Sequence, residues 1–428
     1  MLYLFLLFIC VLLFGIIAWK DIQQATILFF GLLPTYLLRI TIFGLPTTLL
    51  EMLFWVLFLI WFIQRFEWKK QKLLLPVPLI ILFLAASISL FVAPNIFTAL
   101  GIWKSYFLEP IIFFLIIRSV IQKSENISYL FISFGVSALF ISLFGIVQFL
   151  TGLSIPIPWD VERRITSIFP YPNALGLFIG PALMISFFES TRLIKQFLQN
   201  GQKSIWLFCF WISVFIFGSM AIFFSKTEAA WGAVVGTILF SSWFIRDLRK
   251  ITIPFAIICA IVLLSLPALH VPFFQKITFQ DYSGTVRLKQ WEETVELLKN
   301  HWLFGAGLSG YPTKVIPYHT HPEIEIFQYP HNIILNIWTE LGLVGLAAFI
   351  LLMAQVLALF IESTKYPLQE RWISIICFSV LLEIMIHGLV DVPYFKNDLA
   401  MLTMGILAIF YLNTKQKHSF IDGSTETS

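Results

Sequence analysis

Charge is scarce in this chain of 428 residues: Asp, Glu, Lys and Arg make up 12%, against roughly 25% in a soluble globular domain. A soluble protein cannot hide so apolar a composition, because much of any folded surface stays polar. Period-two alternation is also missing, which excludes an outer-membrane barrel. The four cysteines, Cys10, Cys209, Cys259 and Cys377, sit inside apolar stretches without metal-type spacing, so neither a disulfide scaffold nor a thiolate site is expected. No internal repeat or low-complexity tract stands out, and only Asp422–Ser428 reads as disordered. The N-terminal run MLYLFLLFICVLLFGIIAW lacks a basic n-region and a small-residue cleavage site, as a retained helix does. The net charge of +4 is mostly topological, and no nucleic-acid partner is expected.

What is present is apolar: 59% hydrophobic residues, with 46 Phe, in long blocks. A helix needs about 20 such residues to cross ~30 Å of hydrocarbon. That rule places spans near 2–19, 25–43, 46–63, 73–92, 98–118, 127–151, 168–188, 205–224, 227–245, 251–269, 333–361, 372–391 and 397–413. The count is thirteen, or twelve where the first three merge. The expected fold is all-α: a polytopic integral membrane protein with one large loop, at about 270–330, that carries amphipathic helices. The chain divides into N-terminal transmembrane helices (1–126), a membrane domain that includes the loop (127–413), and a short tail (414–428).

Cations set the orientation. The connections carrying Arg65, Lys69, Lys70 and Lys72, then Arg118 and Lys123, Arg192, Lys195 and Lys203, Arg246, Arg249 and Lys250, Lys365 and Arg371, and Lys415 and Lys417 alternate along the chain. These are expected in the cytoplasm of a cell whose plasma (inner) membrane holds the protein. Parity then puts the 270–330 loop on the extracytoplasmic side. Within it, Leu288, Trp291, Val295 and Leu298 form the apolar face of a helix predicted over 285–300, opposite Glu292, Glu293, Glu296 and Lys299.

Polar residues that composition does not predict mark function in membrane proteins, and here they gather on the outer side. They are Arg163-Arg164, Lys226 with Glu228, Arg287, His319, His321 and His331, and His387 with Asp391. Cations beside histidines suit an anionic substrate and a titratable base; phosphate fits guanidinium forks. Each has a plainer reading. Arg163-Arg164 can bind headgroups, Lys226 and Glu228 can pair across a turn, and His387 with Asp391 can be a structural pair four residues apart. His319-Thr320-His321 looks like a ligand pair, but a zinc site needs three or four ligands, so solvated loop histidines and no metal are expected. His331 stands at the mouth of a helix, at membrane-surface depth, with a helix cap as the plain alternative.

Four of these segments come in a fixed order: Arg287-Leu288-Lys289-Gln290-Trp291, Trp302-Leu303-Phe304-Gly305-Ala306-Gly307, His331-Asn332-Ile333-Ile334-Leu335, and Glu340-Leu341-Gly342-Leu343-Val344-Gly345. This set resembles the O-antigen ligase and polymerase superfamily, whose shared domain reads R-x-x-x-W, P/W-L-x-G-x-G, H-N-x-x-L and E-x-G-x-x-G. Arg164 to Phe169, with Pro172-Asn173-Ala174-Leu175-Gly176, is similar to a further family segment, and His387 to Pro393 to the closing one. Together they run from about 160 to 395. One departure stands out: Glu228 occupies a turn position where the family carries arginine, with Lys226 on the other side of the turn.

The resemblance implies a metal-independent membrane glycosyltransferase of cell-surface polysaccharide biosynthesis, without cofactor. It would move a glycan from a polyprenyl diphosphate carrier to the hydroxyl of a glycan or lipid acceptor, as ligase or polymerase. Arg287, helped by Arg164 and Lys226, would hold the diphosphate, and His331 would take the acceptor proton. Trp291, Glu228, Asn332 and Asp391 would contact substrate. A flippase or transporter is the competing class; it calls for polar residues at mid-membrane, for which Arg39, Lys104 and Glu109 are the candidates.

Overall fold

The computed structural model of the chain describes residues 2–42, 44–65, 75–121, 124–201 and 204–422. The basic connection at 66–72, Lys123, Lys203 and the residues after 422 lie outside them. Helices dominate: α1 (Leu2–Lys20), α2 (Ile22–Gly31), α3 (Leu49–Arg65), α4 (Val77–Ser89), α5 (Ile96–Trp103), α6 (Glu109–Val120), α7 (Ser124–Thr151), α8 (Pro172–Asn200), α9 (Ile205–Ser225), α10 (Glu228–Ser242), α11 (Arg246–Ser265), α12 (Pro267–Ile277), α13 (Tyr282–His301), α14 (Tyr311–Lys314), α15 (Ile333–Ser363), α16 (Leu368–His387) and α17 (Asn397–Asp422). A π-helical turn, Lys104–Leu108, joins α5 to α6. Among the described residues, seven helices are long and apolar enough to cross a membrane: α1, the continuous α5–α6 unit, α7, α8, α9, α11 and α15. Apolar α2, α3 and α4 are shorter, while α16 and α17 are largely buried among the others. The protein is a polytopic all-α membrane protein.

One expected span is absent. Residues 25–43 do not form a helix throughout: α2 stops at Gly31, Pro34 sits in a 3-10 turn, and Arg39–Ile42 pairs antiparallel with Leu45–Thr48. Pro34 lacks the N–H that a helix interior needs, and Ile40-Thr41-Ile42 is β-branched. Apolarity alone does not distinguish the two outcomes. Arg39 therefore lies in the hairpin. Lys104 reaches Glu51 (3.1 Å) at the start of α3 and Glu109 (3.9 Å). Asn397, which opens α17, also donates to Glu51 (3.2 Å). The three residues offered as mid-membrane candidates thus belong to a hairpin and to a cluster that joins the starts of α3 and α17.

The N-terminal helices wall the bundle: α4 runs along α15, and α6 along α17. The charged connections sort to two ends. At one end Lys195 pairs with Asp247 (2.7 Å), and Arg371 donates to the carbonyls of Thr364 and Phe244. At the other the connections 152–171, 226–227, 266–332 and 388–396 converge. Outward, α11 buries no residue at all, and Ile251, Phe255, Ile258 and Ile261 stand exposed. Such a surface is suited to lipid rather than water.

Helix α13 occurs as expected, capped by Asp281, whose carboxylate accepts from Gly284 N–H (3.0 Å). Its buried face differs from the expected one. Leu288 and Val295 are exposed, whereas Gln290, Glu293, Thr294, Leu297 and Leu298 are buried. The polar members are retained inside by partners: Thr294 Oγ1 bonds Tyr311 Oη (3.0 Å), and Glu293 accepts three donors described below.

Two of the ordered segments clasp each other. Helix α15 is broken at Gly342 (φ 69°), and the Trp302–Gly307 turn docks on the break. Ala306 N–H donates to Thr339 O (2.6 Å), Leu343 N–H to Leu303 O (3.0 Å), and Ser309 N–H to the Glu340 carboxylate (2.7 Å). A Cβ on Gly342 would meet Leu303 O at 2.1 Å, and one on Gly305 would meet Thr339 O at 2.3 Å. Both glycines also have positive φ, so a left-handed turn and close backbone approach require them together.

Candidate active site

His331 immediately precedes α15 and holds a left-handed backbone (φ 46°). The next residue, Asn332, takes the cap: its Oδ1 accepts from Ile334 N–H (3.0 Å) and Leu335 N–H (3.1 Å). The helix-mouth reading of His331 is thereby removed, because the capping belongs to its neighbour. Asn332 Nδ2 donates to Leu389 O (3.0 Å), and Ile333 N–H to Gly388 O (2.7 Å). Both ends of the Asn332 amide, expected to face substrate, are engaged within the protein. These bonds lock the start of α15 to the 388–396 turn.

That turn presents Asp391. Its Oδ1 accepts from Val392 N–H (2.8 Å), its Oδ2 from Asn173 Nδ2 (3.4 Å), and Oδ1 lies 3.6 Å from His331 Nδ1. The His331 contact is an ion-pair distance, longer than a direct hydrogen bond. Burial favours the neutral acid, but the interactions with His331 and His387 and the Val392 N–H outweigh it and hold Asp391 at about 2. Nδ1 faces the carboxylate without a direct hydrogen bond; closed to hydrogen-bond distance, the contact would leave Nε2 as the free nitrogen, the arrangement that orients a general base. The rings of Phe327 and Tyr329 stand at 5.1 Å and 5.9 Å from the His331 ring.

Arg287, on the first turns of α13, is half-buried. Its Nε donates to Val390 O (3.0 Å), next to Asp391, and Nη1 to Ser283 Oγ (3.1 Å). Trp291, one turn on, donates from its indole N–H to Pro330 O (2.8 Å), next to His331, and its ring meets that of Phe279 at 5.3 Å. The Arg287-to-Trp291 segment thus grips both sides of the His331–Asp391 pair through backbone carbonyls. Trp291 serves there as a brace.

The remaining expected residues form an adjoining patch. Arg164 donates to Ser225 O (3.1 Å) and stacks over Trp159 at 4.9 Å. Thr227 Oγ1 reaches Pro172 O (3.3 Å), beside Asn173, so the patch is continuous with Asp391. Lys226 pairs with Glu162 (3.2 Å), and Glu228 with Lys276, in exposed ion pairs. Lys226 and Glu228 are not paired with each other, and neither touches the His331 group.

His319 and His321 are elsewhere. Glu293 accepts from Thr320 N–H (2.9 Å) and His321 N–H (3.2 Å) and lies 3.1 Å from His319 Nδ1. They are docked on α13 rather than solvated. Among the described residues no three His, Cys, Asp or Glu side chains group as metal ligands.

All seven described non-glycine residues with positive φ, Ser154, Arg163, Ser167, Lys226, Phe279, Ser309 and His331, occupy connections at this one end. Such conformations are uncommon outside glycine and persist only where the surroundings over-determine them, often at functional sites.

Residues 213–350 match the family model described as O-antigen ligase. Over this stretch the chain is similar to the O-antigen ligase domain. The match runs from within α9 into α15, so it contains Lys226, Glu228, Arg287, Trp291, His331 and Asn332, and ends before Asp391. No curated protein matches the chain. The match supports the O-antigen ligase superfamily for this polytopic bundle, and that family suggests membrane polysaccharide biosynthesis. Asn173 was legible only as a letter of its Pro-Asn-Ala-Leu-Gly segment; its contact with Asp391 spans more than half the chain.

Proposed function

We propose that the protein transfers a glycan from a polyprenyl diphosphate carrier to an acceptor hydroxyl, on the extracytoplasmic face of the plasma (inner) membrane. The observation that carries this reading is the His331–Asp391 pair gripped by Arg287 and Trp291. In the proposed step the acceptor oxygen attacks the anomeric carbon of the donor sugar, the bond to the diphosphate breaks, and the diphosphate leaves with the electron pair. His331 Nε2 takes the acceptor proton while Asp391 holds Nδ1 and offsets the charge that develops on the ring. Arg287 uses Nε and Nη1 within the protein, and its remaining N–H groups would meet the departing anion. Arg164, beside it through Asn173 and Thr227, would extend the cationic wall.

A narrow apolar cleft of about 30 Å³, lined by Ile337, Leu341, Phe349, Leu381, Tyr394 and Phe395 among others, runs from the 388–396 turn between α4, α15, α16 and α17. It is the proposed route for the start of the prenyl tail, which would have to part these side chains.

Two experiments test the reading. Purified protein should transfer glycan from a polyprenyl diphosphate donor, and a chain that binds donor but never transfers it would return the transporter class. Envelope glycans of a deletion strain then separate the two enzyme types: loss of long chains marks a polymerase, accumulation of unattached lipid-linked chains a ligase. Reporter fusions after Lys250 and after Tyr311 should report opposite sides; the same side for both would put His331 in the wrong compartment.

A further inference from the structure

The lysines at the loop end of the bundle are nearly all committed. Lys104 has Glu51 (3.1 Å), Lys226 has Glu162 (3.2 Å), Lys276 has Glu228, Lys289 has Glu323 (2.6 Å) and Lys299 has Glu296 (2.5 Å). Lys314 donates to Val92 O (3.2 Å). Lys396 differs. Among the described residues no carboxylate or carbonyl accepts from its ammonium; Nζ rests 4.5 Å from the centroid of the Tyr171 ring. The side chain is half-buried, where an unpaired charge is costly, and burial pushes its ammonium below the ordinary lysine value, with Asp398 and Asp391 opposing. The Asp391 oxygens accept from Val392 N–H and Asn173 and face His331, and no ion pair joins them to Lys396.

The position is built. Tyr394 Oη donates to Tyr106 O (2.6 Å), and Lys396 N–H to Tyr394 O (2.8 Å), so the turn that carries Lys396 is pinned to the π-helical segment. The Tyr171 and Tyr329 hydroxyls interact electrostatically, and the Tyr329 ring flanks that of His331 at 5.9 Å. Burial raises both phenols, and Asp391 adds to the effect on each, so both stay protonated. The Lys396 ammonium, with no carboxylate or carbonyl acceptor among the described residues, thus stands on the Tyr171 ring, on the same 388–396 turn that presents Asp391 to His331.

We propose that Lys396, stacked on Tyr171, binds a phosphate group of the lipid-linked donor beside His331. This rests on the transferase reading above. Phosphate oxygens accept charge-assisted hydrogen bonds from ammonium and phenol together, and Lys396 would supply the cation that Lys226, paired outward with Glu162, does not bring to His331.

The test uses the full chain in detergent, with geranylgeranyl diphosphate, geranylgeranyl monophosphate and geranylgeraniol as probes. Wild type should prefer the diphosphate to the alcohol. Lys396→Met should weaken diphosphate binding by about tenfold or more, as for a lost hydrogen bond to a charged group, and leave the alcohol unchanged; Lys396→Arg should bind nearly as wild type. Wild type with no preference for diphosphate overturns the transferase reading itself. Preference retained in Lys396→Met overturns the Lys396 assignment alone. Should Lys396→Met not fold, wild-type protein answers the question: amine acylation followed by mass spectrometry should show Lys396 protected by the diphosphate and Lys299 not. Undiminished acylation of Lys396, or equal protection by phosphatidylglycerol, overturns the assignment to a donor site.

Discussion

Of the histidine–carboxylate pairs built on the loop assembly, His319 with Glu293 and His331 with Asp391 are opposite in kind. Glu293 satisfies His319 and two backbone N–H groups at once, and so staples an irregular segment to α13. Asp391 accepts from Val392 N–H and Asn173, and its histidine lies 3.6 Å off, beyond hydrogen-bond distance, on a left-handed backbone, with Arg287 bonded to the adjoining Val390. The first pair closes a loop; the second stands where Arg287 and the 388–396 turn meet. Residue type is thus no guide to role here. The neighbours decide: those of His319 tie an irregular segment to α13, and those of His331 bring Asp391, Arg287, Phe327 and Tyr329 around one ring.

The sharpest way to break this comparison is to remove each ring. His331→Ala should cut transfer by about 10²–10⁴-fold, the usual worth of a general base, with donor binding kept. His319→Ala, normalised to folded protein by size-exclusion profile, should turn over nearly as wild type. Equal losses in the two variants would erase the distinction. Arg287→Lys comes next. It keeps the charge but not the planar fork that reaches Val390 O and Ser283 together, and transfer should fall about tenfold to a hundredfold, as for lost hydrogen bonds to a charged group. A Lys variant at full rate would mean that Arg287 acts as a bare charge.

The two carboxylates should also part on stability. Asp391 is held at about 2, below the ordinary 3.8, so the fold favours its charged form. That contribution, about 2 kcal/mol at 1.36 kcal/mol per unit, is present above pH ~4 and is lost as pH falls from about 4 towards 2. Thermal unfolding of wild type should drop across that window, and that of Asp391→Asn should be flatter; parallel curves would show that Asp391 is not charge-stabilised. Glu293→Gln keeps one acceptor oxygen and should cost about 1 kcal/mol, read as a lower unfolding temperature with unchanged turnover per folded molecule. The smallest effect is expected at Lys226→Ala, because an exposed ion pair contributes about 0–1 kcal/mol. A large loss of transfer there would bring Lys226 into the diphosphate site after all.

Much of the fold was legible in the residues. Long apolar blocks located the helices of the bundle because crossing hydrocarbon leaves the backbone no partner but itself. The α13 helix and the break before His331 were readable from helical periodicity and from glycine and proline. The segment 25–43 was not, since apolarity does not choose between a helix and a hairpin; Pro34 and the β-branched run after Arg39 did. The buried face of α13 was misread for a related reason. A hydrophobic face marks what avoids water, and in a membrane protein Leu288 and Val295 need not turn inward to do so, while Glu293 and Thr294 are drawn inside by partners far along the chain.

By itself the sequence determined the class of protein, the identity of the His331 and Arg287 candidates, and the glycines that the clasp at Gly342 requires, because each follows from local chemistry or from an ordered set of short segments. Only the tertiary structure decided which of the charged residues work together. Asn332 became a cap, Trp291 a brace, Lys226 and Glu228 members of separate ion pairs, and Lys396 a cation stacked on Tyr171 with no carboxylate or carbonyl partner among the described residues. These roles rest on which acceptor lies within about 3 Å of which donor, and that depends on how residues separated by tens or hundreds of positions are brought together at one end of the bundle.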